Sequence, residues 1–91
     1  MGHGAAAHGV AASMTRLGMM FHNALGVERD PAAAAVWWAK AAARGDADGQ
    51  AMLGAAHVLG AGVSRDGVAA LAWLIRARGG GNAFAERFLK A

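Results

Sequence analysis

Residues 17–52 read LGMMFHNALGVERDPAAAAVWWAKAAARGDADGQAM, and residues 53–88 read LGAAHVLGAGVSRDGVAALAWLIRARGGGNAFAERF. Laid one on the other without a gap, they match at Leu17/Leu53, Gly18/Gly54, Gly26/Gly62, Val27/Val63, Arg29/Arg65 and Asp30/Asp66. They match again at Ala33/Ala69, Ala34/Ala70, Trp37/Trp73, Ala41/Ala77, Gly45/Gly81 and Ala47/Ala83. Chance matches in an alanine-rich chain scatter, whereas a tryptophan and two Gly-Val pairs in register do not. An internal repeat of this length is one supersecondary unit that buries its apolar face against its neighbours.

The pattern runs past both ends. Ala41, Ala42 and Ala43 fall on Ala5, Ala6 and Ala7, and Gly45 falls on Gly9; in the other direction Asp46 to Leu53 fall on Asn82 to Leu89. The chain therefore divides into a flexible start with a remnant of a preceding repeat (1–10), a first repeat (11–46), a second repeat (47–81) and a C-terminal capping helix (82–91). The first boundary suggests a repeat cut open.

The rest of the sequence points to helix. Alanine supplies 26 of the 91 residues and glycine 14, with one proline; alanine is the strongest helix former, so the glycines belong to turns and close contacts. Asp30-Pro31 is a helix start, Asp66-Gly67 is its counterpart, and Asp46 and Asn82 cap the helices after Gly45 and Gly81. Helices are expected at about 11–24, 31–43, 47–59, 67–78 and 82–90, with a partial turn at 5–8. The short loops predict antiparallel neighbours.

Leu17, Met20, Phe21 and Ala24 share one helical stripe, as do Leu53, Ala56, His57 and Gly60. Ala34, Trp37, Trp38 and Ala41 form the facing stripe, repeated by Ala70, Trp73, Leu74 and Ala77. Trp37 and Trp73 are expected as equivalent buried residues. Gly18 and Gly54, mid-helix, are expected to admit the partner helix, and Gly26 and Gly62 to make the turns.

These residues resemble the SEL-one-like repeat (SLR) family: Leu17-Gly18 then Phe21, Gly26-Val27 then Asp30, Ala34 then Trp37, and Ala41-Ala42 before Gly45. The second copy offers Leu53-Gly54, Gly60, Gly62-Val63, Asp66, Ala70 and Trp73. The resemblance implies an all-α fold, an α/α superhelical solenoid of antiparallel helix pairs related to tetratricopeptide repeats, with about five helices. It also implies a protein–protein scaffold or adaptor, often in bacterial signalling or envelope assembly. Departures are Ala24 where the family has glycine, His57 at the aromatic position, Arg78 for an alanine, and Lys90 for the glycine of a third repeat.

Catalytic chemistry is poorly served. With no cysteine there is no disulfide, thiolate nucleophile or cysteine zinc site. The carboxylates of Asp30, Asp46 and Asp66 sit at helix caps; Ser13, Thr15 and Ser64 have no adjacent base. His3 and His8 make at most an adventitious metal site, and Gly79-Gly80-Gly81 lacks the Lys-Ser/Thr of a phosphate loop. No enzyme activity and no cofactor are expected.

The net charge of +3 comes from nine scattered basic residues, unlike the dense stripe of a nucleic-acid surface. No segment is long and apolar enough for a membrane span. The reading is a cytoplasmic protein if the chain is complete, with a periplasmic or secreted one open if it is cut from a longer protein.

The distinctive surface is apolar. Opposite the Leu-Gly stripe lie Thr15, Met19 and His22, then Ala51, Ala55 and Val58, flanked by Asn23 and Leu59 and extended by Arg87. By the family's architecture this is a concave groove for a protein or peptide partner. Opposite the Trp stripe lie Ala32, Val36, Ala39 and Ala43, then Val68, Ala72 and Ile75, almost without charge. Either alanine is simply tolerated there or the face meets another chain, making the protein a homo-oligomer or a self-assembling module. A basic surface for nucleic acid or acidic polymers is the remaining alternative.

If Gly54 admits a partner helix, Gly54→Leu overpacks that contact and destabilises the domain by about 1–3 kcal/mol or more. Thermal melting checks this, and a variant that melts with the parent contradicts the assignment.

Overall fold

The computed structural model describes residues 3–24 and 26–90, and side chains from Gly9 onward within those limits. Five helices follow in order: α1 (His3–Asn23), α2 (Pro31–Ala43), α3 (Ala47–Leu59), α4 (Gly67–Gly79) and α5 (Ala83–Lys90). No strand occurs among the described residues. Each helix packs on the next, and α1 also touches α3, so the units stack as an α/α solenoid.

The caps set the helix starts. The Asp30 carboxylate accepts the Ala33 N–H at 3.0 Å and Asp46 accepts that of Gly49 at 2.9 Å. Asp66 accepts the Val68 and Ala69 amides, and the Asn82 side-chain carbonyl accepts Ala85 N–H at 2.8 Å. The N-terminus departs from expectation. The turn expected at 5–8 is continuous with α1, which begins at His3. Val10 stands where the repeats place Asp46 and Asn82. With no capping side chain to accept the first amides, Gly9 does not interrupt the helix.

Among the described residues, ten of the thirteen buried apolar ones are alanine; the others are Trp38, Leu53 and Leu74. An alanine-lined interior requires the helix backbones to approach closely, leaving room for one large side chain per interhelical contact. Glycine makes that room. A Cβ on Gly18 would stand 2.9 Å from Trp38 Cε2, and one on Gly54 would stand 2.8 Å from Leu74 Cγ. Trp38 Nε1–H also donates to the Thr15 carbonyl at 3.1 Å, so the buried indole keeps a polar partner.

The tryptophan expectation is corrected here. Trp38 is 3% exposed and Leu74 0%, whereas Trp37 and Trp73 are only half-buried. The inward positions are Ala34, Ala35, Trp38, Ala41 and Ala42 on α2, and Ala70, Leu74 and Ala77 on α4, a helical spacing that passes over 37 and 73. Trp37 and Trp73 lie beside it, with Lys40 Nζ 4.7 Å and Arg76 5.0 Å from the ring centroids. The matched identity in the two repeats is thus an aromatic–cation step at the edge of the core. Met20 and Ala24 also leave the expected stripe: both are exposed. Phe21 is half-buried and packs on the first core cluster. Leu17 is half-buried and Leu53 is buried.

The two loops between first and second helices share left-handed positions among their described residues. Gly26 and Gly62 share φ +75°, and Ala24 at +56° occupies the left-handed position that Gly60 takes at +67°. A Cβ is disfavoured in that region by about 1–2 kcal/mol, so the first loop carries strain that the second lacks.

Trp38→Ala is expected to cost about 3–5 kcal/mol, a large share of the stability of a domain this size. Trp37→Ala is expected to cost only about 1 kcal/mol, in proportion to its partial burial. Urea denaturation followed by circular dichroism separates them, and equal losses contradict the inward assignment.

Candidate functional site

The surface opposite the Leu-Gly stripe is not open along its whole length. Thr15 and Ala51, expected to line a groove, are buried. Thr15 Oγ1 donates to Asp46 Oδ2 at 2.6 Å. That carboxylate also caps α3, so the start of α3 is pressed onto α1. Buried Gly49 allows the approach: a Cβ there would stand 2.9 Å from Thr15 Oγ1 on α1 and 2.7 Å from Ala41 Cβ on α2. One repeat on, Ala51 is covered in the cluster that holds Leu74, Ala77 and Ala85. Small residues thus let successive first helices touch, and the contact closes that half of the face.

The other half holds two pits. The first, about 110 Å³, is walled by His22, Pro31, Trp38, Met52, Ala55 and Leu59. The second, about 270 Å³, is walled by Val58, Arg65, Gly67, Ala70, Leu71 and Phe88. The two are the same place in successive repeats: His22 corresponds to Val58, Pro31 to Gly67 and Met52 to Phe88. Each lies where the end of one first helix and the start of its second helix meet the following first helix.

Four of the expected groove residues enter these walls: His22, Ala55 and Leu59 in the first pit and Val58 in the second. The His22 ring rests against Trp38 with centroids 5.6 Å apart. Leu59 is 74% exposed, a leucine with little reason to face water unless something covers it. Met19 packs on the first core cluster instead. Asn23 and Arg87 are exposed but line neither pit. Met52, Leu71, Phe88 and Arg65 were not foreseen. The correspondence of Met52 with Phe88 was available as a signal, but neither falls on the face opposite the Leu-Gly stripe. They contribute because the pits lie between helices.

On the other side, the second helices expose Val36 (53%), Val68 (82%) and Ile75 (50%), with Ala72 also exposed. The expected apolar face is therefore in contact with solvent in the isolated chain.

Acid–base and metal chemistry find no assembly. Among the described residues no three His, Asp or Glu gather, and the side chains of His3 and His8 lie outside those described. The carboxylates of Asp30, Asp46 and Asp66 are engaged by helix amides. His57 Nδ1 lies 2.9 Å from the Ser64 carbonyl, tying α3 to its own loop. No helix among the described residues is long and apolar enough to cross a membrane.

Known proteins supply context for this geometry. The Sel1 repeat pattern matches residues 11–46 and 47–82. Among solved structures, a Sel1 repeat protein from Oxalobacter formigenes is 38% identical with a TM-score of 0.84 over 88% of this chain. The protective antigen c5321 of uropathogenic Escherichia coli, which displays an SLR fold, is 36% identical with a TM-score of 0.80 over 82%. Cysteine rich protein B of Helicobacter pylori is 27% identical with a TM-score of 0.80 over 86%. This chain spans 23%, 16% and 59% of those three chains. No curated protein matches it in sequence.

Proposed function

The chain belongs to the Sel1 repeat family, and on that premise we propose that it is a non-catalytic scaffold that seats an apolar segment of another protein in the pits between its first helices. The observation that carries this reading is the repetition of the pit. Two apolar hollows recur at the same repeat position, bordered by exposed Leu59 and Leu71. A partner with two apolar anchors would fill both, and buried anchors in pockets supply most of the affinity of such contacts.

A photo-crosslinking residue at Leu59 should capture a protein that the same residue at Ile75, on the opposite face, does not. Leu71→Asp should abolish that capture and leave the melting temperature unchanged, because Leu71 is half exposed. Equal capture from both faces, or capture that survives Leu71→Asp, contradicts the groove.

A second reading, self-assembly, is favoured by the exposure of Val36, Val68 and Ile75. Uncharged apolar patches of this kind usually mark interfaces, and two copies would most simply pair about a two-fold axis. Light scattering after size exclusion should give a dimer or larger at micromolar concentration and a monomer for Ile75→Glu, whose charge would be stranded in the interface. A monomeric mass for the parent at every concentration leaves the convex alanines as helix formers only.

A further inference from the structure

The two pits are alike in position and unlike in chemistry. The first is walled by His22, Pro31 and Leu59, and Pro31, the first residue of α2, has no N–H to offer. The second has Arg65 in its wall and Gly67 at the start of α4. Arg29, the counterpart of Arg65, does not line the first pit. Among the described residues the one ion pair is Lys90–Glu86, so the Arg65 guanidinium has no carboxylate partner there. The Gly67 amide likewise donates to no backbone carbonyl among them. Asp66 is adjacent, but its Oδ1 accepts the Val68 and Ala69 amides. The second pit is thus an apolar hollow of about 270 Å³ whose wall includes an arginine without a carboxylate partner among the described residues and the glycine that opens α4.

We propose that the second pit takes an apolar side chain flanked by a carboxylate, while the first takes an uncharged one, so that Arg65 and Gly67 fix the direction in which a bound peptide lies. The inference rests on the groove reading above and names its ligand: a segment with two apolar anchors and an Asp or Glu beside only one of them. Charge complementarity assigns the orientation. A carboxylate in the second pit has Arg65 to pair with and a helix N-terminus that keeps its first N–H; the first pit has a helix N-terminus that begins with proline and no arginine or lysine in its wall. Reversing the segment takes its acid away from the one arginine in the two walls, which supplies discrimination between the two directions.

The test is selection of a displayed library of random peptides on the full chain, followed by fluorescence polarisation with a selected peptide and its acid-to-amide derivative. Enriched peptides should carry two apolar positions with an acid beside one. The amide derivative should bind the parent about tenfold more weakly, the scale of one charge-assisted hydrogen bond. It should bind Arg65→Gln no more weakly than the acid peptide does, since the pair is already broken. Gly67→Pro is the second variant; it copies the Asp30-Pro31 start of α2 and so keeps the fold. It should reduce the acid preference while leaving the apolar anchors selected. Enrichment of apolar peptides with no acid preference, or an acid preference unchanged in both variants, overturns this inference and leaves the groove standing. No enrichment, or binding indifferent to Leu71→Asp, overturns the groove and this inference with it.

Discussion

The close approach of α1 to Trp38 and of α3 to Leu74 is the constraint on which the rest depends. In both places a glycine stands where any side chain would collide, and in both a large residue fills the space left in an interior that, Leu53 apart, is otherwise alanine among the described residues. Alanine contributes little transfer free energy per residue. The domain therefore relies on tight approach of backbones, and the two large inward residues carry a disproportionate share of the packing. The Thr15 carbonyl that receives the Trp38 indole N–H fixes that ring, and the ring in turn walls the first pit. Core and candidate site share a side chain.

From this constraint the shape of the groove follows. Where small residues meet, as at Gly49 and Ala51, the first helices close on each other and no ligand surface remains. Toward the other end the residues are larger, and hollows open between His22, Met52 and Leu59, and again between Val58, Leu71 and Phe88. A repeat array of identical units would present identical hollows. Here the substitutions Pro31 to Gly67 and His22 to Val58, with Arg65 in the wall of the second pit only, make them chemically distinct.

Much of the fold was legible because its signals are local. Asp30-Pro31, Asp66-Gly67 and Asn82 announce helix starts by satisfying amides within three residues of themselves, and a 36-residue register brings Gly26 and Gly62 to the same φ. The start at His3 was less legible, since it turns on a missing cap at Val10. The site was only partly legible. His22, Ala55, Val58 and Leu59 were found by helical periodicity, which sorts residues by the face of one helix. Thr15 and Ala51 share that face and are buried because a neighbouring helix covers them.

The identity of repeats, caps, loops and glycine contacts was determined by the sequence alone, because each rests on residue types within a helix turn or on a register that needs no coordinates. The choice between Trp37 and Trp38 was decided only by the tertiary structure. Two adjacent tryptophans differ by about 100° around a helix axis, and the repeat match at 37 and 73 argued for the wrong one. The position of Gly18 on the opposing helix, with the Thr15 carbonyl one turn away, selects Trp38. The pits and the place of Arg65 in one of them are likewise tertiary, since they exist only between helices brought together by that packing.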